Sequence, residues 1–401
     1  MAFATTRIVI PEAQTINWTA IMWRIALCFV CHGIWLAIYR LFFSSLSAFP
    51  GPKIAAATAW YEFYYDVIKQ GRYFYRISEM HEKYGPVIRI NPWELSIRDG
   101  AFYSTLYVSG STRRSQIFPR SRAGIGIDGS ENTGIKFAHS SHAVSEDHDL
   151  HRVRRKPLDQ FFSRRRVQSY EHDIIEELKL LEDRFFAIRG TRTIINMEHV
   201  YAAITGDIIG KISVMTSPSL VSDPAFSPDW HSTLSKFFAQ ISLYTQFTFL
   251  VGWVRYIPRS VLLFLTPGAA GFKSFTDTVV DHIKEAKKCT HDAQLTKQST
   301  RYTLIEHLLA SEMPEAEKMT ARLTGELIAI LAGGTMTTAR ALSTITYFAL
   351  ADPCIGAQLR ESVSQAMKGF PGVTPRLVEL ERVAYLTACV KEGLRWAAYI
   401  Q

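Results

Sequence analysis

Glu392 and Arg395 stand three residues apart, a spacing that puts a carboxylate and a guanidinium on one helical face. The same spacing recurs at Glu379 and Arg382, so alone it says little. Upstream, Gly333-Gly334 is followed by Thr335, Thr337 and Thr338 inside a long, almost uncharged stretch, residues 326–350. Hydroxyls and missing side chains at mid-helix cost propensity and invite local distortion. Such a defect suits a place where a ligand must approach the backbone, and a close helix–helix contact explains the glycines nearly as well. A third group is cationic: His151, Arg152, Arg154 and Arg155, then Arg164, Arg165 and Arg166, crowd the run DLHRVRRKPLDQFFSRRR. These cations either form a solvated basic face or clamp an anionic ligand and meet an acidic partner.

Other tempting patterns fail on context. Residues 124–129 read GIGIDG, matching G-x-G-x-x-G, but Phe118-Pro119-Arg120 precedes and Ser130-Glu131-Asn132 follows, where a dinucleotide site needs a strand and a helix. His139, His142, His148 and His151 lie within thirteen residues, with Glu146, Asp147 and Asp149 among them. Imidazoles and carboxylates are zinc ligands, yet the first three histidines are expected in a loop, without a helical pair to preset them, so a polar loop feeding a helix is the better reading.

The elements that position these groups follow from composition and pattern. The chain has 401 residues, 47% of them hydrophobic, 20% charged and 12% aromatic, which supports a large core and excludes general disorder. Its formal charge is +8, but the arginine clusters are not interleaved with aromatics, and no nucleic acid is expected. Five scattered cysteines, Cys28, Cys31, Cys289, Cys354 and Cys389, exclude a disulfide scaffold and read as reduced thiols on a cytosol-facing body. Residues 20–39 are apolar apart from Arg24 and His32, long enough to span a bilayer. Arg24 and Arg40 are expected to snorkel to its two faces, with Trp18, Trp23 and Tyr39 at the interfaces.

Phe49-Pro50-Gly51-Pro52-Lys53 then stops the helix and makes a stiff elbow. Residues 86–99, PVIRINPWELSIRD, alternate around an Asn91-Pro92 turn and predict a small hairpin. Helices dominate afterwards: Ile174, Leu178, Leu181 and Phe185 share a face, Asp352-Pro353 caps another helix, and residues 326–350 form a central one. Residues 237–254 carry no charge over 18 positions but are too polar for a good second span, and read as a substrate-covering or membrane-touching segment.

Taken together, these segments resemble a membrane-anchored cytochrome P-450 of the fungal type, from Phe49 to about Trp396. FPGPK resembles the family's proline hinge, and HEKYGPVIRINPWELSIRD its first sheet. DHDLHRVRRKPLDQFFS resembles the helix that reaches the haem propionates, and EKMTARLTGELIAILAGGTMTTARAL the long helix over the haem. ADPCIGAQLRES and LERVAYLTACVKEGLRW resemble the two helices that follow. The implied fold is mainly α with a small β-sheet, behind one N-terminal transmembrane helix. The implied organisation is a tail (1–19), an anchor (20–43), a proline hinge (44–53) and a catalytic domain (54–401) that stops short of the family's C-terminal part.

The resemblance implies haem b as cofactor, with His151 and Arg155 on its propionates, Gly333 and Gly334 opening the dioxygen groove, and Thr337, beside Thr338, delivering protons. Glu392 and Arg395 become a buried structural ion pair. The implied chemistry is insertion of one oxygen atom from O2 into an apolar small molecule, in fungal secondary metabolism of terpenoid or polyketide type. The implied electron donor is an NADPH-dependent cytochrome reductase, at the endoplasmic reticulum membrane with the body facing the cytosol. Two departures qualify this. Met336 stands where the family usually has an acid, and the chain stops at Gln401, before the glycine-flanked cysteine that ligates the iron, so no metal ligand is assigned. Cys389, the nearest in sequence, is expected to face away. The competing expectation is therefore an inactive, membrane-tethered remnant that binds no haem.

Overall fold

Asn17 caps the first helix, its side chain accepting the Ala20 N–H at 3.1 Å, in a computed structural model that describes residues 17–107, 141–145, 147–214, 219–247, 261, 268–293, 303–370 and 372–397. Residues 124–129, His139, Glu146 and 248–254 lie outside the described residues. By its contacts the chain divides into two units, Met1–Tyr103 and Ser104–Gln401, so the boundary falls inside the expected 54–401 body.

In the first unit, α1 (Trp18–Ile38) runs on into a π-helical turn, Tyr39–Phe43. Together, Trp18–Phe43 is long and apolar enough to cross a membrane, with mean hydropathy 1.8 and none of it buried. Arg40, at the C-terminal end of this segment, has partners within the protein. Its guanidinium donates to the Ala57 carbonyl at 2.9 Å, at the end of α2 (Lys53–Ala57), and lies 4.8 Å from the Trp93 ring. The hairpin forms where alternation predicts it: β1 (Val87–Arg89) pairs antiparallel with β2 (Leu95–Ile97), Val87 opposite Ile97.

Arg89 points inward, 1% exposed, and donates to the carbonyls of Arg40 at 2.8 Å, Pro92 at 2.9 Å and Asn91 at 3.3 Å. Its own N–H donates to Pro50 at 2.7 Å, so the proline segment is tied to β1. Gly51 is required there, since any Cβ would collide with the Arg89 carbonyl. Tyr73 and Met80 of α3 (Tyr73–Tyr84) close a small core with Ile88.

Every regular element among the described residues of the second unit is a helix. Asp147 caps α4 (His148–Phe161) by accepting the Leu150 N–H at 2.7 Å, so His148 is helical and not in a loop. A short α5 (Arg164–Ser169) leads into α6 (Glu171–Ile188). The predicted face of α6 turns inward only in part: Leu181 is buried, with Glu177 beside it, while Leu178 and Phe185 are exposed. Lys211 of α7 (Met197–Val214) draws Glu177 in, at 3.3 Å. Alternation of apolar residues alone could not reveal a paired charge on the buried side.

Helix α7 is itself buried nearly all round, through Val200, Ala202, Ala203, Ile204, Gly206 and Gly210. The uncharged segment that begins at residue 237 starts inside α8 (Pro228–Gln246). Then come α9 (Gly268–Ala293) and α10 (Leu304–Ala310).

The central helix, α11 (Thr320–Ala351), is 32 residues long and runs unbroken through Gly333-Gly334. The expected interruption is absent because tertiary contacts on α7, α9 and the later helices outweigh the roughly 1 kcal/mol per glycine of lost propensity. Nor is it buried all round, as Tyr347 and Leu350 are exposed near its end. Leu323, Leu327 and Leu331 join Leu158, Phe161, Val279, Ile283 and Leu308 in the main core. Asp352 caps α12 (Pro353–Ser364) as predicted, accepting Cys354 N–H at 2.8 Å, and α13 (Ala384–Ala397) packs back on α11.

Candidate functional site

The glycines and threonines of α11 part company by face. Gly334 is turned to α7, where an added Cβ would sit 3.0 Å from Ile209 Cγ1. Thr335 is fully buried on that side, its carbonyl accepting from the Thr205 hydroxyl at 3.2 Å. Gly333 faces away: a Cβ there meets nothing within 4 Å. Thr337 and Thr338 are exposed, and the Thr337 hydroxyl donates to the Gly333 carbonyl at 2.7 Å. Of the two readings of the glycine pair, close helix contact therefore describes Gly334, and open access to backbone describes Gly333.

A stability measurement separates them. Gly333→Ala is expected to leave the melting temperature unchanged or raise it, since alanine gains up to about 1 kcal/mol of helix propensity with no steric cost. Gly334→Leu is expected to lose about 1–3 kcal/mol by overpacking against Ile209. Equal effects in thermal denaturation would show that the two faces are not distinct.

Seven residues before Gly333 and eleven before Thr337, Glu326 lies within about 20° of the same face. The sequence reading passed over it, although a charge at i, i+4 from Arg322 in an otherwise apolar helix was the available signal. Glu326 is fully buried and accepts from the backbone N–H of His142 at 3.1 Å and from His142 Nδ1, and pairs with Arg322 Nη1 at 2.7 Å. Arg322 also donates to Glu317 at 2.9 Å, and Arg154 of α4 reaches the same carboxylate at 2.7 and 3.1 Å. Burial alone raises the Glu317 carboxyl, but Arg154 and Arg322 outweigh it and hold Glu317 below its ordinary value.

This cluster carries α4 to the α11 face. His151 and Arg155 project beside His142, whose ring centroid is 6.3 Å from that of His151. Burial first, then His142 and Arg155, lowers the His151 imidazole, which favours its neutral form. Arg155 is half exposed, with its Nε on Asp159 at 2.7 Å and one terminal nitrogen 3.4 Å from His142 Nε2. The basic run thus has several fates. Arg154 is consumed inside, Arg166 lies 5.7 Å from each of the Phe161 and Tyr170 rings, Arg164 pairs with Glu381 at 2.7 Å, and Arg152 and Arg165 are exposed.

Glu392 and Arg395 do pair, at 2.9 and 2.5 Å, and Trp396 Nε1 donates to Glu392 at 2.8 Å. Where the resemblance implies burial, their side chains are 55% and 53% exposed among the described residues. Arg395, with Trp396, holds the Glu392 carboxyl down to about 2. Cys354 and Cys389 belong elsewhere: with partial burial, Cys389, Asp352 and Cys354 push the Tyr385 hydroxyl up, and Asp352 lies about 22 Å along the α11 axis from Thr337. Cys28 and Cys31 are on α1. Among the described residues no group of three or more His, Cys, Asp or Glu is placed to hold a metal ion.

The α11 face that carries Gly333 and Thr337 is open, and Glu326 on the same face leads through His142 to the half-exposed Arg155. Comparison with known proteins gives the family. Residues 59–401 match the family Cytochrome P-450. A cytochrome P-450 monooxygenase, tndB, of Aspergillus flavipes is 41% identical over 377 residues, covering 90% of this chain and 76% of that protein. Stellatic acid synthase of Emericella variicolor is 37% identical, over 92% of this chain and 63% of its own length. Fusicoccadiene C-8 hydroxylase of Phomopsis amygdali is 36% identical, over 89% and 67% respectively.

A crystal structure of a cytochrome P-450 superposes with a TM-score of 0.57 at 12% identity, covering 80% of this chain and 64% of that one, a likeness of fold. The chain belongs to the cytochrome P-450 family. It spans between 63% and 76% of the length of these proteins.

Proposed function

We propose that the protein is a haem-dependent monooxygenase of fungal secondary metabolism that inserts one oxygen atom into an apolar small molecule, of terpenoid or polyketide type. The observation that carries this is the single α11 face on which Gly333 and Thr337 lie open, with the α4 cations brought to its other end through Glu326. Bound haem would supply the redox centre at which dioxygen is reduced. Arg155 and His151 would hold its carboxylates, charge-assisted contacts for which the guanidinium is suited. Gly333, lacking a side chain, keeps the helix surface clear. The Thr337 hydroxyl, resting on the Gly333 carbonyl, would pass on its Oγ1 proton while taking another from water, and then donate to that carbonyl again. Met336 brings no second acid, so further protons reach Thr337 through water. Thr338 lines the same exposed stretch.

Electrons would come from an NADPH-dependent cytochrome reductase, whose acidic surface would complement exposed Arg152 and Arg165. Trp18–Phe43 is long and apolar enough to anchor the protein, and the endoplasmic reticulum, with the body facing the cytosol, is the membrane we assign. The test begins with titration of haemin into the purified chain, where a saturable Soret band at one haem per chain is expected. No specific uptake overturns the proposal. In turnover with reductase and NADPH, Thr337→Ala in a full-length version that carries the family's cysteine ligand is expected to divert electrons to peroxide, lowering product per NADPH by about 10-fold or more. Unchanged coupling removes Thr337 from proton delivery.

A further inference from the structure

We propose that His142, held by the buried Glu326 carboxylate, is a positioning residue that aims Arg155 at the anionic edge of the ligand, an inference that rests on the haem reading above. The tautomer follows from the contacts. A guanidinium has only donors, so the 3.4 Å approach of Arg155 to His142 Nε2 requires a lone pair on Nε2. The ring proton of neutral His142 is then on Nδ1, where it faces Glu326 Oε1, and the His142 backbone N–H donates to the other carboxylate oxygen at 3.1 Å. Glu326 is in turn oriented by Arg322, and both are buried. The chain of contacts runs from the α11 core to the surface: Arg322, Glu326, His142, Arg155.

Arg155 is gripped from two sides, by Asp159 at its Nε and by His142 at one terminal nitrogen. Its plane is thereby set, and its other terminal nitrogen is directed by the frame and not by chance rotamers. Ordering a long side chain offsets part of its binding energy, so a pre-set guanidinium binds a carboxylate more tightly than a free one. His142 thus has two functions that separate by atom. Nδ1 tethers the 141–145 segment to α11, and Nε2 positions Arg155.

Substitution can take one without the other. His142→Asn places an amide where Nδ1 was, keeping a donor for Glu326 and removing the acceptor for Arg155. Haem loss from the loaded, full chain to excess apomyoglobin is the readout. His142→Asn is expected to melt close to wild type, yet to release haem roughly tenfold faster, the effect of one hydrogen bond to a charged group. Arg155→Ala is expected to release haem at least as fast, and the double variant no faster than Arg155→Ala.

Wild-type release by His142→Asn, or an independent multiplicative effect in the double variant, overturns the positioning role while leaving the haem reading intact. A wild-type chain that takes up no haem overturns both. A second readout needs no haem: nitrogen NMR of the labelled histidines at pH 7.5 is expected to show His142 with its proton on Nδ1. An Nε2–H tautomer there overturns the proposal by itself.

Discussion

Glu326→Ala is expected to unfold the second unit at a much lower temperature than wild type, losing about 3–5 kcal/mol. The carboxylate is fully buried and faces Arg322, itself 5% exposed, so its removal leaves a guanidinium with too few counter-charges in a medium that solvates it poorly. It also strands the His142 backbone N–H, which now donates to Glu326 at 3.1 Å. In scanning calorimetry a fall on the order of 10 °C is expected for a unit of this size. Because the damage is an uncompensated charge, Arg322→Met should restore part of it when added to Glu326→Ala, a non-additivity that a simple cavity would not show. A melting temperature within 2–3 °C of wild type, as a surface pair would give, would mean the cluster is hydrated and the burial argument is wrong.

The second large effect is expected at the other unit. Arg89→Ala removes the donors to three carbonyls, those of Arg40, Asn91 and Pro92. These carbonyls serve a π-helical turn and a hairpin turn, where no helix or sheet ladder stands ready to replace the lost partners. At about 1–3 kcal/mol for each buried group left unsatisfied, at least about 3 kcal/mol of local stability is at stake. Lysine is no substitute, since one ammonium cannot reproduce a planar fork that serves three acceptors. Hydrogen exchange at 86–98 and around residues 40–57 is expected to accelerate by about 100-fold, with α11 unaffected. Protection that stays at the wild-type level in the hairpin would show that Arg89 is a passenger.

These two residues also mark the limit of reading a chain without its fold. Periodicity and turn chemistry delivered the hairpin at 87–97, the Asp352 cap, the apolar N-terminal helix and a long central helix, because each depends on neighbours a few residues away. The family was legible for the same reason, as motifs in order along the chain. Burial of charge was not. Arg89 and Arg154 look like ordinary surface residues in sequence, and Glu392 and Arg395, which the family resemblance puts inside, are half exposed in the described chain.

An ion's burial is decided by what approaches it from distant segments: His142 is 184 positions from Glu326, and Arg154 is 163 from Glu317. Local pattern is enough to place hydroxyls, cations and missing side chains on helices. Which face each one shows depends on what packs against the helix. Gly333 and Gly334 are neighbours in the chain but point about 100° apart on the helix, and a packed α7 on one side made one of them structure and left the other open.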